Sequence, residues 1–162
     1  MMTKMISKLD QKLIQELQKN GRQSYVELAR MFGVVEGTIR KRVKRLLDKE
    51  IIKIVAEPNI PKLGYGIIAI MGFQVKLEDL RTVAYNLSQN PHICYMAFTA
   101  GRYDLMAVIV ARSSQELQRL IEKEISASPG IVRTESFINL DIMKGAWGTL
   151  DTTELIFDAD TT

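Results

Sequence analysis

The chain is 162 residues long and 46% hydrophobic, enough apolar material for one domain or two small ones. Its formal charge of +3 hides an asymmetry: residues 1–60 hold 13 Lys+Arg against 7 Asp+Glu, or +6, while residues 61–162 hold 9 against 12, or −3. The single cysteine, Cys94, excludes an intrachain disulfide, and the single histidine, His92, leaves a His-rich metal site or a Cys–His nucleophile poorly supplied. The start, MMTKMISKLDQ, lacks the apolar core of a signal peptide, and no apolar run approaches the roughly 18 residues of a membrane-spanning helix. The expectation is a cytoplasmic protein with two jobs, one of them given to the basic first third.

In chain order, Leu9-Asp10 precedes Leu13, Ile14 and Leu17. This predicts a helix capped by Asp10, stapled by Leu9 on Ile14 and stopped at Asn20-Gly21 by the left-handed conformation that Gly tolerates. Ser24-Tyr25-Val26-Glu27 predicts a second helix opening on a capping box, with Leu28, Ala29 and Phe32 inward and Gly33 after it. The third helix is EGTIRKRVKRLL, residues 36–47, with five basic residues in twelve. Ile39, Val43, Leu46 and Leu47 make one apolar stripe; Gly37, Lys41 and Lys44 lie nearly opposite, Thr38, Arg40 and Arg45 flank them, and Arg42 borders the stripe. A lone basic helix of this kind is more often a solvated face. A short capped helix, the small Ala29 and a Gly33 turn ahead of it make the pair a helix-turn-helix, the unit that sets its second helix in the DNA major groove. The candidate DNA-binding residues are Arg22, Ser24, Gly37, Thr38, Arg40, Lys41, Lys44 and Arg45. The cations neutralise phosphates and read guanine edges, while Thr38 and the amides near the helix start fix register.

Ile51 to Val55 is β-rich, and Glu57-Pro58-Asn59-Ile60-Pro61 bars a continuing helix or a central strand. The boundary belongs there: a helix-turn-helix (winged-helix-like) domain over 1–52, a linker strand and hinge over 53–65, a second domain over 66–144 and a tail over 145–162. In the second domain the pattern predicts strands at 66–75, 92–100, 103–111 and 131–143 and helices at 78–89 and 115–126. The order βαββαβ is the ferredoxin-like arrangement, four antiparallel strands with two helices on one face, so the fold class is α+β. In 103–111 both alternating sets are apolar, Met106, Val108 and Val110 against Leu105, Ala107 and Ile109. Two helices cover one face only, and the simplest cover for the other is a second copy of the chain, a homodimer.

Four stretches together carry a wider resemblance: LDQKLIQELQKNGRQSYVELARMFG, the RKRVKRL helix, PKLGY after the hinge, and AGRYDLMAVIVA. From about Leu9 to Lys144 the chain resembles the Lrp/AsnC, or feast/famine, transcriptional regulators. The resemblance implies a helix-turn-helix on double-stranded DNA, a linker strand, and a ferredoxin-like effector domain that dimerises and often assembles further into an octamer, a tetramer of dimers. It also implies a small-molecule effector, an amino acid or similar, bound between dimers near Thr99, Ala100, Gly101, Arg102, Tyr103 and Asp104. Asp104 is then the candidate to receive a ligand ammonium, and Gly101 and Arg102 to contact a carboxylate; the competing reading makes Asp104 a cap for the Gly-Arg turn.

Two departures from the family pattern bear on DNA register: Val35 stands where most relatives place a capping Ser, and Glu50 where a Gly commonly ends the helix. The tail over 145–162 holds four acidic residues, no basic ones and Trp147, Leu150, Leu155, Ile156 and Phe157, a composition that fits docking on a neighbouring subunit. The alternative function is a sirohaem-decarboxylase-like enzyme of related fold, resting on His92 and arginines of the second domain. Such an enzyme has no need of the basic ridge, so no catalytic residue, metal or cofactor is assigned.

Overall fold

The computed structural model describes residues 6–143; the tail over 145–162 lies outside them. The chain divides into two compact units, Met1–Ala56 and Glu57–Thr162, and the division falls at the head of the two-proline stretch.

The first unit is three helices, α1 (Lys8–Lys19), α2 (Tyr25–Phe32) and α3 (Glu36–Asp48). Leu13, Leu17, Leu28, Ala29, Ile39 and Val43 form its core, with Leu9, Tyr25, Phe32, Val34 and Ile52 packed around it. Each large side chain buried this way stabilises the unit by about 1.5–3 kcal/mol, and the pattern of three amphipathic helices has no other way to hide its stripes. Gly33 ends α2 in the left-handed conformation at φ 65°, as its place in the sequence required.

Helix α1 starts and stops differently from expectation. Its cap is Ser7, not Asp10: Ser7 Oγ accepts from the Asp10 amide at 3.2 Å, and the Asp10 carboxylate accepts from the Ser7 amide at 2.8 Å and its hydroxyl at 2.7 Å. Asp10 thus occupies the third helical position of a reciprocal box. At the other end Asn20 closes the helix in an extended conformation, its amide bonded to the Glu16 carbonyl, and Gly21 is not left-handed. An added Cβ at Gly21 would sit 3.4 Å from Ile54 Cγ2, an ordinary contact. Residues 52–59 join no strand among the described residues and a 3-10 turn follows at Ile60–Leu63, so the linker strand expected within the 53–65 hinge is not formed within the chain.

The second unit is a four-stranded antiparallel sheet in the order β2-β3-β1-β4, from β1 (Ile67–Val75), β2 (Ile93–Phe98), β3 (Leu105–Ala111) and β4 (Ile131–Ile138). Two helices, α4 (Leu80–Ser88) and α5 (Ser114–Leu120), complete the βαββαβ order, and α5 runs on through a π-helical turn at Ile121–Ile125. The sequence reading of the ferredoxin-like α+β architecture holds, with β4 ending at Ile138 rather than residue 143. One face of the sheet, carrying Ala69, Met71, Phe73, Leu105, Ala107 and Ile109, packs on Val83, Leu87, Leu117, Leu120 and Ile125 of the helical layer. The opposite face is only partly covered by its own chain. A short 3-10 turn, Ile60–Leu63, is capped by Asn59 and brings Ile60 and Tyr65 onto Cys94, Val110 and Ile68. Tyr95, Phe137 and Leu140 stay exposed, Leu140 at 97%.

Candidate nucleic-acid interface

Helix α3 is fixed from beneath by Ile39, Val43 and Leu46, all fully buried. Its start has no side-chain cap, since Val35 accepts nothing, at a cost of about 1 kcal/mol against a Ser or Thr there. Its end is held by Glu50, the one non-glycine residue among those described with a left-handed φ, 52°. Gly37 opens to empty space, and the Thr38 amide donates to the Val35 carbonyl at 2.9 Å.

The five cations of α3 divide by partner. Arg42 Nη1 lies 3.0 Å from Asp10 Oδ1, and Arg45 Nη2 lies 2.6 Å from Asp10 Oδ2. Both arginines thereby lean onto α1, so Arg45, a candidate DNA contact from the sequence, is instead engaged by Asp10. The reason is Asp10, whose carboxylate is fully buried and needs counter-charge. Burial pushes its pKa up, but the Ser7 hydroxyl and amide and the two guanidiniums outweigh that and hold it at about 2, below the ordinary 3.8. Arg45 Nε is buried without a hydrogen-bond partner among the described residues, while the side chain as a whole is 42% exposed. On the other flank Arg40 Nη2 meets Glu36 Oε1 at 2.5 Å, and Lys44 Nζ meets Asp48 at 3.1 Å, both exposed. Lys41 is exposed and has no ion-pair partner among the described residues. Arg22 is exposed on an Asn20 turn, its amide donating to Asn20 Oδ1 at 3.0 Å, and Ser24 Oγ accepts from the Glu27 amide at 3.2 Å, one half of the box expected there.

In the second unit residues 99–104 are laced to the end of β1. Thr99 Oγ1 donates to the Tyr103 carbonyl at 2.6 Å, the Asp104 amide to the Phe73 carbonyl at 2.9 Å, and Gln74 Nε2 to the Arg102 carbonyl at 2.9 Å. Asp104 Oδ2 accepts from the Val75 amide at 2.9 Å, so the carboxylate ties the turn to the last residue of β1. Tyr103 lies flat over Gly72, where an added Cβ would fall 2.6 Å from the ring, and its hydroxyl donates to Glu135. Arg102 reaches Glu135 at 3.7 Å and covers the Tyr103 ring at 5.6 Å. Gly101, at φ 147°, makes the turn.

Residues 6–53 match the winged helix-turn-helix DNA-binding family, and residues 68–146 match the Lrp/AsnC ligand binding domain. An HTH-type transcriptional regulator of Pyrococcus furiosus is 34% identical over 145 residues, covering 89% of this chain and 97% of that one. The chain belongs to the Lrp/AsnC family of transcriptional regulators. The structure of Escherichia coli AsnC superimposes with a TM-score of 0.81 at 28% identity, covering 88% of this chain and 98% of that one. A Neisseria meningitidis transcriptional regulator, solved as a complex with L-Met, shares the fold with a TM-score of 0.82 at 21% identity, covering 93% and 99%.

This Lrp/AsnC chain is therefore a DNA-binding regulator with a ligand-binding second domain. The roles of Asp10, Tyr25 and Glu36 as partners of the α3 arginines, and of Glu135 as partner of Tyr103 and Arg102, escaped the sequence reading. Glu36 was findable, since Glu four residues before Arg is a helix pair, and Ser7-x-x-Asp10 is itself a box signature. Glu135 was not, because only the β1–β4 register sets it opposite Gly72. His92, the basis of the enzymatic alternative, is half-buried with Nδ1 3.1 Å from the Val110 carbonyl and its ring edge-on to Tyr65. No helix among the described residues is long and apolar enough to cross a membrane.

Proposed function

We propose that this cytoplasmic regulator binds double-stranded DNA as a homodimer through the exposed side of α3, and that an amino acid received at residues 99–104 modulates binding or assembly. Lys41 and Lys44 meet phosphates, Arg40 reaches a base edge, and Gly37 with Thr38 sets register at the helix start. The observation that carries this reading is the exposed cationic side of a helix whose other side is locked into the unit's core. Arg22 and Ser24, exposed at the turn before α2, are phosphate contacts of lower weight.

Dimerisation is supported by the sheet face opposite the helices, where Tyr95 and Phe137 are exposed beside half-buried Ile70 and Met106. A tetramer of dimers is the further step the family resemblance implies. The amino-acid effector is supported by the L-Met complex of the Neisseria relative and by a carboxylate and a guanidinium on one turn, Asp104 for an ammonium, Arg102 and the Gly101 backbone for a carboxylate. The regulator needs no catalytic step of its own.

The test is a salt series of fluorescence-anisotropy titrations on duplexes selected from a random library, with and without each amino acid. Log affinity should fall linearly with log salt, with half-sites spaced by about one helical turn of DNA. Size-exclusion chromatography with light scattering should give at least a dimer. Binding indifferent to both salt and every amino acid would sink the reading.

A further inference from the structure

Arg40 is gripped from two sides. One turn earlier on the same helix, Glu36 Oε1 accepts from its Nη2 at 2.5 Å, and from α2 the Tyr25 ring lies 5.4 Å beneath its guanidinium carbon. Tyr25 is in turn packed against the core of the first unit, so this platform is anchored to the fold rather than to another surface side chain. Arg40 nonetheless keeps 66% of its side chain exposed. An exposed ion pair contributes little to folding, and this one lies at the start of the helix that enters the groove, where base edges come within reach.

The arrangement suits recognition. An arginine already stacked and hydrogen-bonded has less rotamer freedom to lose when it meets a planar acceptor pair. Glu36 takes one donor at Nη2 and leaves the other N–H groups for the O6 and N7 acceptors of a guanine. Its own charge, at the helix start, opposes DNA whose phosphates approach without a base contact in return, which weakens wrong sequences more than right ones.

We propose that Glu36 is a specificity-determining positioning residue: with Tyr25 it orients Arg40 toward one guanine per half-site and disfavours DNA that lacks it. The proposal rests on the reading of α3 as the DNA-facing helix. The probe is a duplex selected from a random library by the full-length protein, with each guanine replaced in turn by 7-deazaguanine, which lacks N7. Wild type should lose affinity by about fivefold or more at one guanine in each half-site. Arg40→Ala should lose that sensitivity. Glu36→Ala should cut it to less than about twofold, while binding to unselected duplex holds or tightens, and it should add nothing in the Arg40→Ala background. Glu36→Gln, which keeps an acceptor, should restore the sensitivity that Ala removes; circular-dichroism melts check that each variant folds. A Glu36→Ala protein with wild-type guanine sensitivity overturns the proposal and leaves α3 on the DNA. Charge variants at Arg40 and Lys41 that both bind like wild type overturn the DNA-facing reading itself, and the proposal with it.

Discussion

The two flanks of α3 carry the same side chains to opposite ends. On the flank toward α1, Arg42 and Arg45 share Asp10, a carboxylate that water does not reach. On the flank toward α2, Arg40 shares Glu36, a carboxylate that is 41% exposed. A buried carboxylate must keep its counter-charges or unfold the segment around it, and removing one side of such a group costs several kcal/mol. An exposed pair contributes about 0–1 kcal/mol and can exchange its partner for a phosphate or a base. Burial of the acid, rather than the arginine's place on the helical wheel, decides which cations of α3 are tied to the core and which sit in exposed pairs.

The largest effect should come from Asp10. Asp10→Ala removes the box at the start of α1 and strands two guanidiniums, so it should destabilise the first unit by about 3 kcal/mol, the low end of the buried-pair range because both arginines reach solvent. Urea unfolding followed by helical circular dichroism measures it; a loss under about 1 kcal/mol would make both flanks of α3 alike. The same group sets an acid limit. Its folded pKa, about 2, lies below the ordinary 3.8, so its contribution is present above about pH 4 and disappears as the pH falls toward 2. The stability difference between wild type and Asp10→Asn should shrink across that window and be constant from pH 5 to 7.

Val43→Ala is the uncharged counterpart beneath the same helix. It should lower stability by about 2 kcal/mol by leaving a void under α3, and the slope of log affinity against log salt should not change for the folded fraction. A changed slope would mean that the ridge and the core are not separable. A third carboxylate carries the contrast into the second unit. Asp104 accepts one backbone amide, so without any ligand Asp104→Ala should cost about 1.5 kcal/mol, read as a drop in melting temperature. In the same variant, calorimetry with the responding amino acid reads the effector role, so a variant that melts like wild type yet ignores the ligand would leave Asp104 with that role alone. The smallest change is in the salt dependence. Lys41→Ala should flatten the log–log slope by roughly 0.9, whereas Arg45→Ala, whose Nη2 is already held by Asp10, should flatten it by clearly less. Equal slopes for the two would show Arg45 leaving Asp10 when DNA arrives.

Much of the first unit was legible because helical periodicity and turn chemistry are local. The stripe of Ile39, Val43 and Leu46 and the left-handed Gly33 needed only neighbours within a few positions. Leu47, placed on the same stripe, is instead 37% exposed, since α3 rests on α1 and α2 through a narrower seam than the wheel allows. The capping signal was misplaced by three residues although it is local: Ser and Asp each qualify for a cap, and only the Ser7-x-x-Asp10 box spacing puts the cap at Ser7. The linker was read as a strand from its β-branched residues, yet propensity makes no strand without a partner for its hydrogen bonds.

The order βαββαβ, the basic first third and the Gly101-Arg102 turn were determined by the sequence alone, since each is written in short-range pattern and charge. The candidacy of residues 99–104 as an effector site came from the family resemblance. Tertiary structure decided the rest. It gave Asp10 two arginines that lie 32 and 35 residues away. It laid Tyr103 over Gly72 and drew Glu135 in beside them, because antiparallel register, which no local pattern carries, determines which residues share a face. The direction in which an arginine points is settled by where the fold buries an acid, and burial belongs to the assembled core, not to any stretch of the chain.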